Sequence, residues 1–435
     1  IGPDGRAGLI VPTGIATDNS TKAYFDSISS GGRLVSLHDF ENREAIFPGV
    51  HRSFKFALLT LGEKVDSTDF AFFTTAVSQL ADQRRHFMLS ADEIDAINPN
   101  THTCPAFRSQ MDAELAKKIY RQVPVLINEA KGEHGNPWGI SVHTRLFHMT
   151  EDGELFFESP NAERAPLYEA KMTSIYNHRA SSYDERNEGR GYRVLPETPI
   201  EKLQDPGYAP LPFYWVSTYE LKKRLSAQNW PAKWLLGYSE VASATNRRTF
   251  VSTIIPRVAV GHKTHLIFPD FPRLSGNLIG ALVGNLSSIV FDYLARQKVG
   301  GISLSLFIVR QLPALSPKFY GPSDLEFIGE RVLELTYTSH DLKPWAQDLG
   351  YDGPPFRFDP ERRALLRAEL DAYYAHLYGL SRDELRYIID PADVMGPDYP
   401  SETFRVLKTN ELRQFGEYRT QRLVLEAWDR LFGGG

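Results

Sequence analysis

Cysteine is almost absent: Cys104 is the one thiol in 435 residues. A disulfide framework is thereby excluded, and the composition suits a reducing, cytoplasmic setting. Long apolar runs are lacking as well. No stretch approaches the roughly 18 residues that a membrane helix needs, and no signal peptide opens the chain. There is no internal repeat of fixed period. A Gly-x-Ser-x-Gly elbow is missing, which removes the usual support for Ser/His/Asp hydrolysis. One cysteine with His102 nearby does not make a structural zinc site. His143 and His148 read as satisfied surface or core histidines, so no metal is expected.

What is present is an ordinary globular balance, with 42% hydrophobic, 24% charged and 12% aromatic residues. The length suggests about two to four domains. The net charge of −5 argues weakly against nucleic acid, but the charge is unevenly spread. Between residues 171 and 315, 18 Lys/Arg face 10 Asp/Glu, a net of +8, and the rest of the chain carries −13. A basic middle between acidic ends fits either a polyanion partner or a plain solvated surface.

Periodicity predicts a strand at 7–11, a helix at 20–28 and strands at 33–37 and 53–61, the edge of a mixed α/β sheet. Ser90 is placed to cap a short helix, and 112–121 reads as an amphipathic helix. Residues 122–315 alternate short β-like runs with turns, broken by a helix at 276–296 and closing on a strand-like piece at 303–309. From 325 onward the pattern is helical, with clear helices at 325–337, 360–378 and 423–432. Gly379 stands at a helix stop, and Ser381 with Glu384 forms a capping box. The chain opens on Ile1 and runs through Gly2-Pro3-Asp4-Gly5 into its first strand, which predicts a start inside a domain.

Three runs carry a family resemblance: Gly5-Arg-Ala-Gly-Leu-Ile-Val-Pro-Thr13, Arg33-Leu-Val-Ser-Leu-His-Asp-Phe40 and Ala45-Ile-Phe-Pro-Gly-Val-His-Arg-Ser-Phe-Lys-Phe-Ala-Leu-Leu-Thr-Leu61. In this order they resemble the second half of the catalytic domain of adenine-N6 DNA methyltransferases. In that family a strand ending in proline follows the catalytic loop. A later Phe-Pro segment opens the last hairpin and supplies an aromatic for the flipped adenine. The matching position is Phe47. An extruded base needs a flat apolar partner, and stacking contributes about 1–3 kcal/mol; the bland alternative is a core residue at a strand start.

A second resemblance covers residues 95–435. The runs Asn98-Pro-Asn-Thr-His-Thr-Cys-Pro-Ala-Phe-Arg108 and Asp112-Ala-Glu-Leu-Ala-Lys-Lys-Ile-Tyr120 are similar to the connector of type IIG restriction-modification and phage-defence methylases. Leu167-Tyr-Glu-Ala-Lys-Met172, Ala295-Arg-Gln-Lys-Val-Gly-Gly301 and Leu370-Asp-Ala-Tyr-Tyr-Ala-His-Leu-Tyr-Gly-Leu380 extend the likeness. The segment 298–313 also resembles the last strand of specificity-subunit recognition domains, with its Leu-Pro exit. The resemblance implies a partial Rossmann-like methyltransferase sheet over 1–88, a connector over 89–121, a mixed α/β target recognition domain over 122–318 and a helical region over 319–435.

It also implies double-stranded DNA and other restriction-modification or defence subunits as partners, and S-adenosylmethionine as the cofactor of the intact enzyme. Lys171, Arg179, Arg247, Arg248, Arg257, Arg296 and Lys298 are the expected DNA contacts, most of them to phosphate. No Asn/Asp-Pro-Pro-Tyr/Phe loop occurs; Asn98-Pro-Asn-Thr101, Asn136-Pro-Trp-Gly139 and Gly353-Pro-Pro-Phe356 depart from it. Nor is there a glycine-rich strand-to-helix turn for the cofactor. Gly276, Gly280 and Gly284 have helical spacing, which predicts close helix packing. No catalytic residue is expected in this chain, and the chain alone is expected to be inactive. The alternative is a stand-alone DNA-specificity module serving a separate methylase. A nuclease reading rests on Glu129-Ala-Lys131 and Glu169-Ala-Lys171 with Asp152 upstream, a pattern that arises often by chance.

Overall fold

The computed structural model describes Gly2 and residues 5–186, 195–243, 246–299 and 302–433. Most of the opening turn, Ile1, Pro3 and Asp4, lies outside the described residues, as do Gly300 and Gly301. The first sheet comprises β1 (Ala7–Pro12), β2 (Leu34–Glu41), β3 (Lys55–Leu61), β4 (Thr68–Thr74) and β5 (Phe87–Leu89), in the order β1-β3-β2-β4-β5. β3 is antiparallel to both β1 and β2, so β1 and β2 run parallel with a reversed strand between them. β4 is parallel to β2, and β5 turns back against β4. The helix Lys22–Ser30 links β1 to β2 and buries Phe25. Leu34, Leu37, Leu59, Phe70 and Phe72 build the inner core, whereas Leu9 and Ile10 on the edge strand are exposed.

The middle of the chain holds two four-stranded sheets among the described residues. Their strands are β6 (Ser141–His143), β7 (Phe156–Phe157), β8 (Arg164–Tyr168), β9 (Tyr214–Ser217), β10 (Trp234–Ser239), β11 (Ser252–Pro256), β12 (Ala259–Val260) and β13 (Thr264–Phe268). They order as β11-β10-β13-β6 and β12-β8-β9-β7. The piece at 303–309, read from sequence as a strand, is instead the helix Leu306–Arg310, with a single bridge from Ser303 to Val241. Short apolar runs do not distinguish the two states.

The helix expected at 276–296 is two helices, Gly276–Ser287 and Ile289–Lys298, bent by 53°. Ser288 causes the break: its hydroxyl accepts the Phe291 N–H at 3.3 Å and donates to the Asn285 carbonyl at 2.8 Å, capping a new helix. A Cβ on Gly276 would lie 1.9 Å from the Asp348 carbonyl oxygen, and one on Gly284 2.7 Å from the Tyr374 hydroxyl. The glycine spacing therefore serves close packing. Both helices are almost wholly buried. Among the described residues no single helix is long and apolar enough to cross a membrane.

The remaining helices include Pro322–Thr336, Pro360–Leu377, Arg382–Ile389, Arg405–Phe415 and Arg419–Phe432. Gly379, at φ +70°, follows the stop of Pro360–Leu377, and the Ser381–Glu384 box starts the next helix. An ion pair ties this region to the middle of the chain. His178 Nε2 lies 3.0 Å from Asp341, and the Ser339 hydroxyl donates to the same carboxylate. Burial opposes ionisation of Asp341, but the His178 charge and hydrogen bond outweigh it and pull its pKa down to about 2.

A carboxylate held below its unfolded value stabilises the fold above that value and loses the contribution as pH falls toward the folded one. From an ordinary 3.8 to about 2, the contribution is about 2 kcal/mol at neutral pH. Urea melts of the wild type and Asp341→Asn should differ by about this amount at pH 6. The gap should narrow steadily between pH 5 and 3; a gap independent of pH would exclude Asp341 as the titrating group.

Candidate functional site

The parallel strands β1, β2 and β4 end on one side of the first sheet, and a cavity of about 540 Å³ opens there. Its size is that of a small-molecule site, and the carboxyl ends of parallel strands are the usual place for one. Pro12, Thr13, Asp39, Lys55 and Phe73 come from the sheet, and Asn98, Cys104 and Pro105 from the segment after the helix Ala91–Ile97. Lys298, Phe307 and Gln311 close it from the middle of the chain.

Asp39 is the buried acid of this site. Its carboxylate accepts the Thr13 hydroxyl and, at 3.2 Å, the Phe73 N–H. Burial pushes its pKa above the ordinary value, against those two hydrogen bonds and the nearby Lys55 charge. Phe73 adopts φ +60°, a left-handed conformation that a bulky residue seldom takes and that costs energy. Its ring has the Arg108 guanidinium 4.1 Å and the Lys55 ammonium 5.5 Å from its centroid. Across the cavity Lys298 Nζ donates to the Ile97 and Gln311 carbonyls and to Asn98 Oδ1, at 2.7–2.8 Å. Burial pulls its pKa well below the usual lysine value. Burial likewise pushes the Cys104 thiol up, which leaves it a poor nucleophile. The walls thus offer apolar faces with a few fixed polar groups, suited to holding a flat molecule with a polar edge.

Phe47 lies on the same end of the sheet, in the connection between β2 and β3, but is not among the residues that line the cavity. It is 37% exposed. Buried Asn42 pins it: the amide donates to the Phe47 and Val50 carbonyls at 3.0 and 2.9 Å and accepts the Phe47 N–H at 2.9 Å. The ring meets Phe56 edge-on at 4.9 Å, and Phe56 stacks on Phe40 at 5.3 Å. Arg43, Val50, His51, Arg52 and Phe54 stand exposed on the same loop.

The expected basic contacts divide sharply. Arg247 is exposed, and Lys171 is partly exposed beside Glu169 at 3.1 Å. The other five are engaged by partners within the fold, and three of them, Arg179, Arg248 and Arg296, are buried, contrary to the expectation of surface contacts. Arg179 is fully buried and donates to the carbonyls of Leu203, Asp205, Tyr208 and Thr338. Arg248 is buried against Asp292 at 2.6 Å. Arg257 donates to the Trp230 and Ala232 carbonyls. Arg296 donates to the carbonyls of Thr403, Asn246 and Arg247. Lys298 is held inside the cavity wall as described. Arg179, Arg248 and Arg296 have exchanged water for backbone oxygens or a buried carboxylate, while Arg257 and Lys298 remain partly exposed.

The nuclease arrangement does not assemble among the described residues. Asp152 is held by Arg224 at 2.7 and 2.8 Å, Glu169 accepts the Tyr183 hydroxyl at 2.5 Å, and Glu129 pairs with Arg310. Sequence reasoning missed Asp39, Lys55 and Phe73. The Pro12-Thr13 strand end and Asp39 in His38-Asp-Phe40 were visible signals, but a left-handed Phe73 leaves no trace in composition.

No family model matches the sequence, and no curated protein matches it. Among solved structures the chain is similar to the type IIL restriction-modification enzyme MmeI in complex with DNA, at 12% identity and a TM-score of 0.42 over 97% of this chain and 50% of that one. It is also similar to the type IIG restriction endonuclease BpuSI, at 12% identity and a TM-score of 0.30 over 80% of this chain and 46% of that one. The chain spans about half the length of either protein.

The burial of Arg248 makes a direct test of the division among the basic residues. Both oxygens of Asp292 are engaged, one by Arg248 and the other by the Thr249 and Phe250 N–H groups at 2.8 and 2.9 Å. Arg248→Ala leaves that carboxylate with only the more distant Arg296, at 3.6 Å, as a cation and should lower stability by about 3–5 kcal/mol. Arg247→Ala, one residue away and exposed, should stay within about 0.5 kcal/mol. Chemical denaturation of both variants checks this, and equal losses would contradict it.

Proposed function

We propose that this chain recognises duplex DNA and receives a target adenine as part of a site-specific adenine-N6 DNA methyltransferase of the restriction-modification or phage-defence kind. In this reading residues 1–88 complete the catalytic domain, 89–121 connect, 122–318 form the target recognition domain and 319–435 a helical domain. The observation that carries the reading is the end of the first sheet. Phe47-Pro48 lies within the β2–β3 connection, at the end of the sheet where the cavity opens at the carboxyl ends of β1 and β2, which supports the role that the sequence resemblance implies. Among the described residues β1 is an edge strand with Leu9 and Ile10 exposed, and an unpaired apolar edge invites pairing.

The extruded base would enter from the exposed loop at 43–54 and lie against aromatic rings over the cavity. Phe47 would stack on it, Asp39 and Thr13 would meet its polar edge, and Arg43, Arg52 and Arg247 would meet phosphate. The glycines at 276, 280 and 284 form no cofactor turn, because Asp348, Leu349 and Tyr374 pack against them. The cofactor belongs, in this reading, to another part of the intact enzyme.

Duplex binding by the 435-residue chain, followed by fluorescence anisotropy, should weaken as salt rises, with a log–log slope of about −0.9 per phosphate contact. Arg43→Ala with Arg52→Ala should flatten the slope by about one to two contacts, whereas Arg257→Ala should not change it. In the intact methyltransferase Phe47→Ala should preserve folding and lower methyl transfer by roughly 5- to 150-fold, the loss of about 1–3 kcal/mol of stacking. Salt-independent binding, or full activity without Phe47, would sink the reading.

A further inference from the structure

Adjacent strand residues point to opposite faces, so His38 lies across the first sheet from Asp39. There it meets Asp69 of β4 and His86, which directly precedes β5. The sheet order sets β2, β4 and β5 side by side, so two strands and the residue that leads into a third bring one side chain each to a single spot. His38 Nε2 and His86 Nδ1 each lie 3.0 Å from the Asp69 carboxylate, and the three ligand atoms fall within 4.8 Å of one another. The side chains are 17–31% exposed, shielded yet open to solvent on one side.

The second ring nitrogen of His86 decides how this cluster is read. His86 Nε2 lies 2.9 Å from the Leu80 carbonyl, which can only accept, so Nε2 carries the proton. That bond orients the ring and leaves Nδ1 as the atom facing Asp69, the arrangement in which metal-binding histidines are normally held. Tetrahedral ligands about 2.0–2.1 Å from a zinc ion stand roughly 3.3 Å from each other; the two histidine-to-carboxylate separations are 3.0 Å, and all three atoms lie within 4.8 Å, so small shifts would close the set on an ion.

We propose that His38, Asp69 and His86 form a binding site for one divalent transition-metal ion of zinc type. Two imidazoles and a carboxylate suit such an ion, and water would complete its coordination. Bound there, the ion cross-links three strands and pins β5, the shortest strand of the sheet, to its neighbours. The site is independent of the DNA reading, since none of its residues lines the cavity.

The 435-residue chain, freed of metal with a chelator, is titrated with Zn²⁺ by calorimetry and with Co²⁺ by visible absorption. One equivalent should bind, with Co²⁺ bands characteristic of nitrogen and oxygen ligands, and Zn²⁺ should raise the thermal midpoint. His38→Gln, His86→Gln and Asp69→Asn should each weaken binding by about tenfold or more and abolish the thermal shift. Asp69→Asn keeps the shape of the cluster and serves if a histidine variant does not fold. His102→Gln probes the more exposed Asp26–Asp95–His102 group and should leave binding unchanged. Absence of saturable binding, or binding unaffected in Asp69→Asn, overturns the proposal, as does loss of binding in His102→Gln alone.

Discussion

Three carboxylates buried around the helix Ile289–Lys298 hold the chain together. Asp292 takes the Arg248 guanidinium and the N–H groups of Thr249 and Phe250. Asp371, on the helix Pro360–Leu377, accepts the Ile289 N–H at 2.7 Å. Asp112, on the helix Gln110–Gln122, accepts the hydroxyls of Tyr293 and Tyr387 at 2.9 and 3.0 Å. A buried carboxylate without partners is too costly to keep, so each of these contacts constrains where its neighbours sit. The connector, the middle sheets and the C-terminal helices are all referred to one buried helix as a result. Its last residue, Lys298, then reaches the cavity wall.

The same economy explains the fate of the basic middle segment. A guanidinium has five donors and no acceptor, so it can terminate several loops at once by collecting their carbonyls. Arg179 does this for Leu203, Asp205, Tyr208 and Thr338, and Arg296 for Thr403, Asn246 and Arg247. The net +8 of residues 171–315 therefore overstates the positive charge that the surface presents. The exposed loop at 43–54, in a segment with no charge excess of that kind, carries Arg43, Arg52 and an aromatic within reach of solvent.

The first sheet divides its chemistry between its faces and its end. The cavity at the carboxyl ends of its parallel strands is closed by residues from far along the chain, Lys298 among them, which bonds to Ile97 and to Asn98 of its rim. Phe73 holds a strained backbone there because Asp39 accepts its N–H and cations flank its ring. One residue back along β2, His38 belongs to a different polar cluster on the other face.

The local elements were legible in the residues: the first three strands, the helix between them, the Ser90 and Ser381 caps, the Gly379 stop and the packing role of the glycines at 276, 280 and 284. These depend on periodicity, side-chain capping and steric size, all of which act over a few residues. Long-range packing set the rest, placing β3 between β1 and β2, breaking a long apolar helix at Ser288 and making 306–310 helical. It alone decided which arginines are buried, because an arginine that caps distant carbonyls has the same local sequence signature as one that meets solvent. The cavity around Asp39 and the meeting of His38, Asp69 and His86 likewise came from long-range strand pairing, which no short window of sequence encodes.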